Sequence, residues 1–114
     1  MNLSNTSVIE KDEIIDSVLD SHKNVLGQYY EPYRNHVYRV YNFAIVYISN
    51  KADQEKIAIS AAFHDIGIWT NSTFDYLQPS IALARYYCEQ RGLPVDSIAE
   101  IEWMINDHHK LNRL

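Results

Sequence analysis

The stretch that decides the fold is Ala61-Ala62-Phe63-His64-Asp65-Ile66-Gly67-Ile68-Trp69, in which a His-Asp pair interrupts an otherwise apolar run. Ile57, Ala61 and His64 follow the i, i+4, i+7 spacing of one helix face, so His64 shares its side with core residues. Asp65 then stands at the helix end, where the backbone turns at Gly67. A polar ring among aliphatic groups needs a hydrogen-bond partner or a metal. The positions of the other histidines bear on which it has.

Upstream, Asn50-Lys51-Ala52-Asp53 is a polar break, and Asp53 is an N-cap for a helix from Gln54 to about Asp65. Before it, a helix with Pro32 in its first turn runs to about Ser49, with Tyr33, His36, Val37, Val40, Phe43, Ala44, Tyr47 and Ile48 facing inward. The earliest helix spans Val8 to Leu26, with Ile14, Ile15, Val18, Leu19, Val25 and Leu26 on its stripe and Gly27 as its stop. His22 lies beside that stripe and has a packing or surface role. Residues 1–7 are a polar tail.

Downstream, Trp69 to Gln78 is a loop, with turn-forming side chains at Thr70-Asn71-Ser72-Thr73. Pro79-Ser80 opens a helix through Gln90 or Arg91 that packs through Ile81, Leu83, Ala84, Tyr87 and Cys88 and stops at Gly92. Cys88 fits a small core residue better than a nucleophile. Asp96 caps a last helix carrying Ile98, Ile101, Met104, Ile105 and His108. At about 100° per residue, His108 falls near the centre of that apolar face, His109 at its edge and Asp107 on the far side. No strand alternation or internal repeat competes with this pattern. The expectation is an all-α, compact helical bundle of about five helices, forming a single domain over residues 8–114.

Bulk properties narrow the function classes. The chain has 114 residues, 46% of them apolar and 22% charged, as expected of one globular domain. No run approaches the roughly 18 apolar residues of a membrane span, so no membrane partner is expected. A formal charge of -5 argues against a nucleic-acid polymer as partner. The polar N-terminus lacks a secretory pattern, and the single Cys88 excludes an intrachain disulfide, so a cytoplasmic location is expected.

Three of the five histidines, His36, His64 and His108, fall independently on apolar helix faces, and Asp65 adjoins the middle one. A divalent metal ion (Mn, Mg, Fe, Co, Ni or Zn) would account for that convergence, because imidazole and carboxylate are suitable ligands and facing helices can assemble them. The competing reading is three core histidines bonded to carbonyls or to some of the nine tyrosines. No HExxH, CxxC, P-loop or GxSxG pattern is present.

The segments NHVYRVYNFA (35–44), AAFHDIGIW (61–69) and NDHHK (106–110) together resemble the HD-domain superfamily of metal-dependent phosphohydrolases, over roughly Glu31 to Lys110. The resemblance implies His36, His64 and Asp65 as metal ligands, with His64 and Asp65 in the catalytic centre and His108, with His109, at an additional ligand position. It implies a small phosphorylated substrate, such as a nucleotide. Arg39, one turn after His36, and Lys110, beside the His-His pair, are candidate phosphate contacts or else solvated helix-face charges.

The family's closing Asp lies on a further helix, so the domain is expected to be C-terminally short, with one corner of the site incomplete. Two alternatives follow from the resemblance. One is a noncatalytic HD module that binds metal or ligand and forms a homodimer through the apolar surface left uncovered. The other is a di-iron oxygenase of the same fold.

Overall fold

Asp12 starts the helical part of the chain: its side chain accepts the Ile15 N–H at 3.0 Å, satisfying one of the donors that a helix start leaves open. The computed structural model describes residues 8–46, 48–70 and 76–112, and for 108–112 the backbone alone. Every regular element among the described residues is helical. These are α1 (Glu13–Ser21), α2 (Lys23–Leu26), a 3-10 turn (Gly27–Tyr29), α3 (Tyr30–Ile45), α4 (Lys51–Phe63), α5 (Gly67–Thr70), α6 (Leu77–Gln90) and α7 (Val95–Asn112). The five long ones, α1, α3, α4, α6 and α7, make the expected all-α bundle. None of the described helices is long and apolar enough to cross a membrane.

The centre of the bundle is α4, which packs against α1, α3, α6 and α7. Its second half, Ala58 to Phe63, is buried without a break. Three alanines and Ser60 in that half keep its surface low, so neighbouring helices come close on several sides. The Ser60 hydroxyl bonds back to the Lys56 and Ile57 carbonyls at 3.0 and 3.1 Å, so its burial leaves no unmade bond. Ile15, Val18, Leu19, Val37, Phe63, Ile66, Ile101 and Ile105 fill the surrounding core.

Polar side chains fix α1 and the segment before it onto α3. Tyr38 donates to Asp16 Oδ1 at 2.7 Å and accepts the Asp12 N–H at 2.8 Å. Asn42 accepts the Ile9 N–H at 2.6 Å and donates to the Ile9 carbonyl at 2.9 Å. Each such bond contributes about 0.5–1.5 kcal/mol net. Together they set the rotation of α3, which buries Tyr38 and Tyr41 and leaves Phe43 83% exposed. The inward assignment of Phe43 is therefore corrected, whereas Tyr33 and Val37 do face the core. Tyr47 lies outside the described residues.

Several helix boundaries also differ from expectation. The first helix is divided at His22, whose Nδ1 turns back to the Val18 carbonyl at 2.9 Å. Residues 8–12 are not helical, because Ile9 pairs with Asn42. Helix α3 ends at Ile45 rather than near Ser49. Asn50, not Asp53, caps α4, with its side chain accepting the Asp53 N–H at 3.1 Å. Within the expected loop, Trp69 and Thr70 belong to α5, and Leu77 and Gln78 open α6, while residues 71–75 lie outside the described residues. Pro79 is tolerated in the first turn of α6, where backbone N–H groups have no helical partner.

Cys88 is fully buried, and burial, followed by the charges of Glu102 and Glu89, pushes its thiol up to about 11. At pH 8 this lowers the thiolate fraction by roughly two orders of magnitude relative to an ordinary thiol. Alkylation by iodoacetamide should therefore be at least about a hundredfold slower in the native protein than in denaturant; rapid native labelling followed by mass spectrometry would contradict a core role.

Candidate metal centre

Phe63 is the last residue of α4, and His64 and Asp65 form the turn that joins it to α5. Short bonds tighten that turn: Ile66 N–H to the Phe63 carbonyl at 3.2 Å, and Ile68 N–H to the Asp65 carbonyl at 3.1 Å. The turn is held from outside by Tyr33 of α3. Its hydroxyl donates to the Ala62 carbonyl at 2.8 Å and accepts the Asp65 N–H at 3.3 Å. Its ring lies against those of His64 and Trp69, with centroids 6.2 and 4.9 Å away. Burial, then the charge of Asp65, raises the Tyr33 hydroxyl well above its ordinary value, so it remains a neutral donor.

Gly67 is required by close approach, and its φ is not positive. A Cβ at this position would collide with the Tyr76 carbonyl and come within 2.9 Å of the Ser80 hydroxyl, which accepts the Gly67 N–H at 2.8 Å. The start of α6 is thus seated directly on the residue that follows the doublet by two positions.

Three donor atoms meet at this turn. His36 Nε2 is 3.0 Å from His64 Nε2, and Asp65 Oδ2 is 3.0 Å from His64 Nε2 and 3.5 Å from His36 Nε2. His64 Nδ1 lies 2.5 Å from the Ala61 carbonyl, an acceptor, so Nδ1 carries a proton and Nε2 faces the cluster. Metal-binding histidines are commonly fixed in this way, with the second ring nitrogen donating to a backbone carbonyl. Donors about 2.1 Å from a shared ion and at right angles lie about 3.0 Å apart, and at tetrahedral angles about 3.4 Å apart. The observed separations match that range.

Hydrogen bonds among the three side chains would explain Nε2 and Oδ2 without a metal, and they leave one atom unexplained. Asp65 Oδ1 is buried and has no hydrogen-bond partner among the described residues. Burial raises the Asp65 carboxyl, but the bonds from His36 and His64 and then their charges outweigh it and hold the group well below the usual carboxylate range. Asp65 is therefore an ionised oxygen donor with one oxygen unused. These residues fit a divalent cation. Side-chain exposure rises from 2% at His64 and 14% at Asp65 to 38% at His36, so the cluster is open to solvent on the His36 side.

Of the residues singled out from the sequence, the structure thus brings His36, His64 and Asp65 together. Arg39 is exposed on α3 and is not part of the cluster. His108, His109 and Lys110 belong to the backbone of α7, and their side chains lie outside the described residues. Asp107, assigned to the far side of its helix, instead lines a groove with His64, Val40, Ala44, Ile57 and Met104. The face that α7 turns toward α4 is wider than its apolar stripe and includes Asp107, one turn beyond Met104. By spacing Tyr33 is a packing residue; its position one turn before His36 on the same face is the signal for more.

Tyr33→Phe removes a hydroxyl that satisfies both a buried carbonyl and an amide, so it should destabilise the protein by about 1–3 kcal/mol. Urea unfolding checks this, and an unchanged midpoint would show that the turn holds without it. Compared with protein-family models, curated proteins and solved structures, the chain matches none.

Proposed function

We propose that this chain is a metal-dependent phosphohydrolase of the HD superfamily, in which His36, His64 and Asp65 hold a divalent cation and the substrate is a small phosphoester such as a nucleotide. The observation that carries this reading is the convergence of two imidazole nitrogens on Oδ2 of Asp65, beside a second carboxylate oxygen, Oδ1, that is buried with no hydrogen-bond partner among the described residues. A bound divalent cation supplies Lewis acidity toward water and toward a phosphoryl oxygen.

The side chains have separable tasks. His64, locked by its Nδ1–H bond to Ala61 and by the adjacent Tyr33 ring, fixes the position of the centre. Asp65, ionised and half-shielded, orients the attacking water through a carboxylate oxygen. Arg39 and Lys110 are the candidate phosphate contacts. The groove of about 160 Å³ beside His64 offers room for part of the leaving group. In the hydrolysis the water oxygen bonds to phosphorus, the ester P–O bond breaks, and the alcohol leaves with the proton released by water. Three donors suffice for one ion, which favours hydrolysis over di-iron oxygen activation.

The test combines elemental analysis with phosphate release from a nucleotide panel in Mn, Mg, Fe, Co, Ni or Zn. The wild type should retain metal and release phosphate, while His64→Ala should lose both. Asp65→Asn should weaken metal binding by at least about tenfold. A wild type that retains no metal after reconstitution would refute the reading.

A second reading, a noncatalytic module that pairs with another copy, is favoured by the exposure of Phe43 on α3 and of Trp103, 64% exposed, beside the groove. It expects a dimer by light scattering that Phe43→Ser with Trp103→Ser converts to a monomer. A wild type that is monomeric at high concentration would remove it.

A further inference from the structure

Phe63, the residue before His64, borders a second concavity, between the end of α1 and α6, that shares no lining residue with the His36–His64–Asp65 cluster. Its volume of about 380 Å³ lies within the usual range for small-molecule sites. The walls are mainly aromatic and form a continuous series. The His22 and Phe63 rings meet edge to face with centroids 5.9 Å apart, and Phe63 and Tyr87 follow at 5.4 Å. Leu83 and the 63% exposed Tyr86 complete the apolar surface.

Arg91 ends the series, with its guanidinium carbon 4.2 Å from the centre of the Tyr87 ring. It is the only charged residue among the described residues lining the concavity, and no described carboxylate pairs with it. Stacking on an aromatic face restricts the plane of a guanidinium while leaving its N–H edge available, and that edge matches a carboxylate in bidentate fashion. Rings on the walls favour a planar guest in offset or edge contact.

We infer that this concavity is a binding site for a planar aromatic carboxylate, whose ring lies against Leu83, Tyr86 and Tyr87 above the buried Phe63 and whose carboxylate pairs with Arg91. The charge of the guest follows from the unneutralised Arg91, and its shape from the aromatic walls. A second ligand therefore sits one residue along the chain from the candidate metal centre, on a different side of the end of α4.

The probe is 1-naphthoate, titrated into the full chain treated with EDTA so that carboxylate binding to metal does not contribute. Calorimetry should show saturable one-to-one binding, and amide shifts should centre on Phe63, Tyr86, Tyr87 and Arg91. Arg91→Gln, an exposed substitution that spares the core, should weaken binding at least about tenfold, as expected for the loss of a charge-assisted bond. The uncharged 1-naphthalenemethanol should bind wild type about as weakly, and Tyr86→Ala should lose affinity while keeping the native helical signal. His64→Ala should bind 1-naphthoate as wild type does, which separates this site from the metal reading. No saturable binding, equal affinity for the uncharged probe, or shifts centred on His36 would overturn the inference.

Discussion

Most of this structure depends on one constraint: α4 is hemmed in by α1, α3, α6 and α7, so its last turn has little freedom to move or rotate. Helices with one apolar stripe can shift along their neighbours, but a helix buried over six consecutive residues cannot do so without opening several interfaces. The small side chains of Ala58, Ser60, Ala61 and Ala62 make that enclosure possible. Whatever is attached to the end of α4 inherits its fixed position. The His64-Asp65 pair is attached there, and so is Phe63. Because successive helical residues point about 100° apart, these neighbours address different partners: Phe63 meets His22 and Tyr87, while His64 meets Tyr33 and His36.

Position alone would not align the donors, since His36 comes from another helix. Its placement depends on the rotation of α3, which is set by directional bonds as well as by packing. Tyr38 to Asp16 and Asn42 to Ile9 lie on the α1 side of α3, and Tyr33 reaches the turn after α4. An apolar interface tolerates small rotations because burial is non-directional. A hydrogen bond weakens steeply with angle, so these side chains convert a bundle of about the right shape into one with a defined donor geometry.

The all-α architecture was legible because the 3.6-residue spacing persists through each long helix and no strand pattern competes with it. His36 and His64 were legible because polar rings stand out in apolar stripes. Other features were hidden by ambiguity of a physical kind. Asn50 and Asp53 are both competent caps three residues apart, and only the bond to the Asp53 N–H distinguishes them. Phe43 fits an inward stripe by spacing, but the stripe drawn by Tyr33, Val37, Tyr38 and Tyr41 is rotated away from it by the contacts with α1. A tyrosine in such a stripe looks like packing, and nothing in the sequence says that the Tyr33 hydroxyl ends beside a backbone amide some thirty residues later. Spacing puts Asp107 on the far side of α7, but a groove, unlike a filled core, admits a polar side chain on a helix face directed inward.

Asp65 is where stability and chemistry diverge. A carboxyl held below its unfolded-state value stabilises the fold at neutral pH, and that contribution is lost as the pH falls below about 4. The benefit comes through the imidazoles that face Oδ2, whereas Oδ1 is buried without a partner among the described residues, at a cost of about 1–3 kcal/mol. A core selected for stability alone has a simpler solution, because apolar residues of similar volume often equal or exceed a buried ion pair. A cation held as proposed would relieve this tension. It would supply positive charge to the carboxylate without requiring either imidazole to hold a second proton, and it would give three closely spaced donors a reason to face one another.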